Sequence, residues 1–105
     1  MSDVDVQIYL SQIKTFFNEN PKELYTLIGD SPADNFFDAV YDMALVNHRE
    51  GNDIQLTQKQ MIEVILKLNT VKSKKEFTVT MESKFGKIYL NWVESSEIIF
   101  YSLVN

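Results

Sequence analysis

Helix start signals recur through the first part of this sequence and are its most informative feature. In the most complete one, Thr57 and Gln60 are spaced as a capping box, in which side chains and backbone N–H groups exchange hydrogen bonds. Leu56 and Met61 flank the box at the positions of a hydrophobic staple. This segment predicts the most buried helix of the chain, ending near Thr70.

Earlier signals of the same kind predict three further helices. Each begins with a polar residue that caps helices well, and in the second and third a proline occupies the first helical position. The capping residues are Ser2, Asn20 and Ser31. We expect the second helix to end at Gly29, which readily takes a left-handed conformation, and the third to end near Arg49.

The hydrophobic period changes after a cluster of lysines. Phe77, Val79 and Met81 alternate with polar residues, as in a half-buried strand. Two more apolar runs follow, over residues 88–93 and 98–104, each preceded by residues that favour turns. The pattern therefore predicts an α+β fold, in which about four N-terminal helices pack on a C-terminal three-stranded antiparallel meander.

The last apolar run has an alternative interpretation as a helix. Asn91 and Glu94 fit a helix cap, whereas the β-branched and aromatic residues after Glu97 favour a strand. The helical half and the strand half are each too small to hold a core alone. We therefore expect residues 1–105 to form a single α+β domain.

The composition excludes several kinds of site. The chain has no cysteine and one histidine, His48, which rules out disulfides, thiolate zinc sites, cysteine nucleophiles and histidine-rich metal sites. With three glycines it has no glycine-rich phosphate loop, and it lacks a nucleophile elbow and a zinc-protease motif. We expect no cofactor, no metal and no enzymatic activity, and His48 is interpreted as a capping or packing residue. A small enzyme is kept as an alternative.

The charge of the chain bears on its partners. A formal net charge of −5 disfavours nonspecific binding to nucleic acid or to anionic membranes. Residues 1–56 carry three basic and ten acidic side chains, whereas residues 57–105 carry seven basic and five acidic ones. No apolar run approaches the roughly 18 residues of a membrane span, and the acidic N-terminus is unlike a signal peptide. We therefore expect a soluble cytoplasmic protein without membrane contact.

Two clusters of like charge are candidate recognition surfaces. Asp34, Asp38 and Asp42 recur every fourth residue on the third predicted helix, opposite its apolar face. This stripe is interpreted as a solvated face, with a protein-recognition stripe or a hard-cation site as alternatives. A cluster of lysines, Lys67, Lys72, Lys74 and Lys75, is interpreted as a solvated helix end and linker, with a small anion-binding patch as the alternative.

The aromatic C-terminal run is the basis of a partner prediction. A strand that is apolar on both faces must be covered on both, and the helices cover one. We therefore predict a protein–protein contact, most simply a homodimer and otherwise another protein. The candidate interface residues are Tyr89, Trp92, Ile98, Phe100 and Tyr101. Complete burial within one chain is the alternative.

A nucleic-acid alternative depends on a resemblance. Three helices followed by a β-hairpin is the element order of a winged helix-turn-helix domain. Residues 56–60, Leu-Thr-Gln-Lys-Gln, resemble the Leu-Thr-x-x-Gln start of many helix-turn-helix units. This resemblance implies a regulator with phosphate contacts from a wing at Lys84 and Lys87. Nucleic acid stays disfavoured because no arginine follows Arg49, and arginine is the commonest base reader.

A second resemblance covers two short segments. Residues 56–69, together with residues 85–91, Phe-Gly-Lys-Ile-Tyr-Leu-Asn, resemble stretches in small uncharacterised proteins of large tailed phages. The resemblance implies no activity and no site residues. The overall prediction is a small non-enzymatic protein-interaction or structural module that self-associates.

Overall fold

The described part of the chain forms five α-helices joined by short connecting segments. A computed structural model describes residues 4–68 and 73–104, and the side chains of residues 4–68, 73 and 75–95. The helices are α1 (Val4–Glu19), α2 (Pro21–Ile28), α3 (Ala33–Arg49), α4 (Gln58–Leu68) and α5 (Lys74–Val104). None of these described residues forms a strand, so the fold is all-α.

Four of the helices pack in a ring. Helix α1 packs against α3 and α5, and α4 packs against the same two helices, so that α3 and α5 are separated by the core. The short helix α2 contacts α1, α4 and α5. This arrangement is that of a four-helix bundle, in which each helix buries one stripe against two neighbours.

The core is built around Trp92, which is 1% exposed. Its ring stacks on Tyr9, with ring centroids 6.4 Å apart and planes 10° apart. It makes edge-to-face contacts with Phe17 at 5.5 Å and with Phe85 at 6.5 Å, a favourable geometry for aromatic pairs. Residues from α1 and from α5 therefore share one aromatic cluster, with aliphatic side chains from the other helices around it.

The capping box predicted from the sequence is confirmed. The Thr57 N–H donates to Oε1 of Gln60 at 3.0 Å, and the Gln60 N–H donates to Oγ1 of Thr57 at 3.1 Å. Leu56 and Met61, the predicted staple residues, are both fully buried. The predicted end of α2 is also confirmed, since the chain takes a positive φ of 59° at Gly29.

Two predicted capping residues have other partners. The Asn20 side chain donates from Nδ2 to the Phe16 carbonyl at 2.8 Å, so it caps the end of α1 rather than the start of α2. Ser31 donates from Oγ to the Leu68 carbonyl at 3.0 Å and thereby caps the end of α4. Helix α2 begins at Pro21 as predicted, whereas α3 begins at Ala33, one residue later than predicted, with Pro32 extended at its N-cap. The first predicted cap, Ser2, lies outside the described residues.

The predicted three-stranded meander is wrong, and with it the α+β fold class. Residues 74–104 form one helix, α5, so the helical alternative for the last apolar run is the correct one. The buried residues of α5 recur every third or fourth position, which is the helical period. They are Met81, Phe85, Ile88 and Trp92. Val79, which the strand interpretation placed beside Phe77 and Met81, is 59% exposed.

The helices of the described residues bear on membrane insertion. None of them combines the length and the apolar character that a bilayer crossing requires.

Candidate functional site

The segment between α3 and α4 is held to two other helices through one residue, Leu56. Its N–H donates to the hydroxyl of Tyr9 on α1 at 3.2 Å. Its carbonyl accepts a hydrogen bond from the hydroxyl of Tyr89 on α5. Burial raises the pKa of Tyr9 and, together with the nearby charge of Asp53, the pKa of Tyr89. Both tyrosines therefore act as neutral hydrogen-bonding groups.

The start of this segment is fixed by local hydrogen bonds. Gly51 takes a φ of 77°, which favours glycine, and its N–H donates to the His48 carbonyl at 3.1 Å. The Asn52 N–H then donates to the Asn47 carbonyl at 2.8 Å. Further along, the Asp53 carboxylate accepts from the Gln55 N–H at 3.1 Å. These bonds turn the chain back across the end of α3.

A reciprocal pair of amides joins the end of α3 to the start of α4. Nδ2 of Asn47 donates to Oε1 of Gln60 at 3.2 Å, and Nε2 of Gln60 donates to Oδ1 of Asn47 at 3.1 Å. Asn47 is 5% exposed, so this pairing satisfies a buried polar group. The pair therefore joins the two helices on either side of the segment of residues 50–57.

A cavity of about 260 Å³ lies between α1, the last turn of α3 and this segment. We call it the His48 cavity. Its lining residues are Tyr9, Gln12, His48, Asn52, Asp53, Ile54 and Gln55. Nε2 of Gln12 is buried without a hydrogen-bond partner in the described structure. The lining described here contains one carboxylate and no lysine or arginine.

A second, more open depression of about 650 Å³ runs along α1 and reaches Ser95 of α5. We call it the α1 groove. Val4, Ile8 and Phe16 give it apolar surface. Polar side chains lie among them, including those of Gln7, Ser11 and Thr15. Gln12 borders both this groove and the His48 cavity.

The predicted interface residues do not form one exposed patch within the described structure. Trp92 is a core residue, and Tyr89 is half-buried with its hydroxyl bonded to Leu56. The other three candidates, Ile98, Phe100 and Tyr101, lie in α5, but their side chains are outside the described residues. Trp92 and Tyr89 therefore act in the packing of the bundle.

The described side chains of the two charged clusters lie at the surface. Asp34, Asp38 and Asp42 are exposed on α3. No three histidine, aspartate or glutamate side chains among the described residues are grouped so as to hold a metal ion. Lys67 at the end of α4 and Lys75 at the start of α5 are exposed, whereas Lys72 and the side chain of Lys74 lie outside the described residues.

The wing required by the winged-helix alternative is replaced by helix. Lys84 and Lys87 lie on α5, where that alternative places a β-hairpin. The described residues therefore lack the element that a winged domain inserts beside the DNA backbone.

The residues of the His48 cavity are the ones that sequence reasoning missed. The sequence predicts that His48 is a capping or packing residue, and the structure adds that it lines the cavity. The sequence does contain one relevant signal, because Gly51, Asn52 and Asp53 form a turn-favouring cluster between two helices. Nothing in the local sequence connects that cluster with Gln12 on α1.

Comparisons of the chain with protein-family models, with curated proteins and with solved structures give no significant match. The resemblance of residues 56–69 and 85–91 to phage proteins therefore stays a prediction.

Proposed function

We propose that this protein is a non-enzymatic interaction module that pairs with a second copy of itself through the α1 groove. The observation that supports the proposal is the groove itself, an open depression along the outer side of a helix. Helices commonly bind in grooves of this kind, where apolar side chains provide affinity and polar side chains at the rim set the register.

The lining of the groove supports a protein partner. Its residues recur every third or fourth position from Val4 to Glu19, so the groove follows the full length of α1. The lining mixes apolar with polar side chains, as do the interfaces of proteins that associate reversibly. A helix of a partner chain matches both the length and this mixed character.

The sequence after the groove supports self-association in particular. Ser95, the residue of α5 that lines the groove, is followed by a segment of residues 98–104 in which all but one residue are apolar. A helix that is apolar on all sides is normally covered on all sides. The groove includes Ser95, and the apolar segment follows Ser95 closely in the sequence. In a pair of copies, each copy therefore has a groove and an apolar segment with which the other can pack.

The experiment measures the solution mass by light scattering across a range of protein concentrations. We expect a dimer whose dissociation constant rises by about tenfold or more in the variant Ser11→Arg, which places a bulky charge in the groove. Ser83→Arg is the matched control, because Ser83 is an exposed helical serine outside the groove. A monomer at all concentrations contradicts the proposal, and so does an equal loss of dimer in both variants.

A further inference from the structure

We propose that the His48 cavity binds a small, neutral, polyhydroxylated molecule about the size of a single sugar ring. The cavity lies between α1, α3 and the segment of residues 50–57 and shares Gln12 with the α1 groove, so the experiment includes a variant that separates ligand binding from self-association. The proposal depends on the size of the cavity, on the chemistry of its lining and on one buried group without a partner.

The size of the cavity defines the size of the ligand. A volume of about 260 Å³ corresponds to roughly nine water molecules at the volume each occupies in the liquid. This is below the range of pockets for drug-sized ligands, which begins at about 300 Å³. A compact molecule with one ring matches this space, whereas a nucleotide or a peptide exceeds it.

The lining favours hydroxyl groups as the ligand chemistry. Gln12, Asn52 and Gln55 each provide a carboxamide, which is a donor and an acceptor at once. A hydroxyl group is also a donor and an acceptor, so neighbouring hydroxyls pair with carboxamides in two directions. The Asp53 carboxylate adds an acceptor, and Ile54 adds apolar surface for the C–H groups of a ring.

The charge of the lining excludes acidic ligands. Asp53 is the one residue of the described lining with a fixed charge, and it is negative. Phosphate and carboxylate groups are normally recognised by arginine, lysine or clustered backbone N–H groups. A phosphorylated sugar or an organic acid would instead place its charge near a carboxylate. The unmodified polyol is therefore the better match.

Gln12 is the residue of the lining whose buried amide lacks a partner, and it borders the α1 groove as well as the cavity. Its Nε2 is buried and has no hydrogen-bond partner in the described structure. Buried donors without a partner are rare in native proteins and lower stability. The proposal predicts that a ligand hydroxyl in the cavity accepts from this amide, and the variant Gln12→Leu tests that prediction.

The cavity wall is held in place before any ligand binds. Leu56, near the end of the segment, is bonded to Tyr9 and Tyr89, and the Asn47–Gln60 pair joins the two helices that flank the segment. A wall fixed in this way loses little conformational entropy on binding, which favours affinity for a small ligand.

The experiment uses the ring protons of His48 as the probe. His48 is the one histidine of the chain, so its signals are resolved in a one-dimensional proton NMR spectrum of the unlabelled protein. The compounds to be titrated are D-glucose, D-galactose, D-mannose and myo-inositol. We expect at least one of them to shift the His48 signals with saturation, and the absence of a saturable shift for all four overturns the proposal.

Matched variants locate the binding. Gln12→Leu removes the buried amide and is expected to weaken binding by about tenfold or more. Gln7→Leu is the control, because Gln7 lies on the same helix and lines the α1 groove but not the cavity. Asn52→Ala removes a carboxamide from the exposed segment and gives a second test should Gln12→Leu fail to fold. Equal affinities in Gln12→Leu, Asn52→Ala and Gln7→Leu place the binding elsewhere and overturn the proposal.

A charged probe tests the stated chemistry. Ethanolammonium carries one hydroxyl and a positive charge that Asp53 would attract. Saturable shifts with ethanolammonium and none with the four polyols would overturn the proposal in favour of a cation site. The same titrations on Ser11→Arg are expected to give unchanged polyol affinity, which separates this proposal from self-association.

Discussion

The hydroxyls of Tyr9 and Tyr89 hold the same residue through its two backbone groups. Tyr9 accepts from the N–H of Leu56 at 3.2 Å, and Tyr89 donates to its carbonyl. Tyr9 belongs to α1 and Tyr89 belongs to α5, and these two helices are far apart in sequence. The two tyrosines therefore connect both helices to the segment that precedes α4. The position of α4 therefore depends on contacts that no local signal specifies.

Removing the Tyr9 hydroxyl tests this connection. In Tyr9→Phe the ring that stacks on Trp92 is kept, but the buried N–H of Leu56 loses its acceptor. We expect the free energy of unfolding to fall by about 1–3 kcal/mol, measured by urea denaturation. Tyr89→Phe is the comparison and should cost about 1 kcal/mol or less, because Tyr89 is half-buried and water can take the place of its hydroxyl. A smaller loss in Tyr9→Phe than in Tyr89→Phe would contradict the assignment.

Alkaline pH provides a second test of Tyr9. Its pKa in the folded protein is raised above 10, its ordinary value, because burial disfavours the charged form. The stabilisation is therefore complete below pH 10 and is lost as the pH rises, since the unfolded chain ionises first. We expect Tyr9 to contribute a slope of up to about 1.4 kcal/mol per pH unit above pH 10. Urea denaturation between pH 8 and pH 11 should give a shallower slope for Tyr9→Phe, and identical slopes would refute the argument.

Two glycines should respond in opposite directions to alanine. Gly86 lies inside α5, and a Cβ there would meet Nε2 of Gln58 at 3.5 Å, an ordinary van der Waals contact. Gly86→Ala should therefore stabilise the protein by about 0.5–1 kcal/mol. Gly51 has a positive φ, so Gly51→Ala should destabilise it by about 1–2 kcal/mol although nothing lies within 4 Å of the added Cβ. Thermal unfolding measures both changes, and a destabilised Gly86→Ala would indicate tighter packing between α4 and α5.

A pair of lysine substitutions distinguishes the helix from the strand over residues 77–81. Val79 is exposed and Met81 is 3% exposed in α5, whereas a strand would place both on the same face. Val79→Lys should change stability by no more than about 0.5 kcal/mol. Met81→Lys should cost about 3 kcal/mol or more, because it buries a charge. Circular dichroism and urea denaturation give the measurement, and equal losses in the two variants would favour the strand.

The beginnings of the helices could be predicted because their signals are local. The capping box of Thr57 and Gln60, Pro21 at the start of α2 and Pro32 just before α3 act over three or four residues and need no tertiary partner. For the same reason, α3 and α4 form in the segments where the third and fourth helices were predicted. Asn20 and Ser31 were assigned the wrong partners because capping side chains also bond to carbonyls that another helix end leaves free.

The C-terminal half could not be predicted in the same way. The apolar residues Phe77 and Met81 fit both the period of a strand and that of a helix. The prediction of a strand therefore depended on counting Val79, which lies between them, as a residue of the same buried face. Packing against α1 and α4 decides between the two, because these helices bury residues of α5 that recur every third or fourth position. The His48 cavity was equally out of reach, since it joins Gln12 of α1 to the segment of residues 50–57.

The amino-acid sequence by itself determined where the first helices begin, which face of each is apolar, and which chemistries the composition rules out. These properties follow from interactions within one or two helical turns and from the side chains present. The tertiary structure alone decided that residues 74–104 are one helix, that Trp92 is a core residue, and that Tyr9 and Tyr89 meet at Leu56. Such contacts join residues far apart in sequence, and their free energy exists only once the helices have packed.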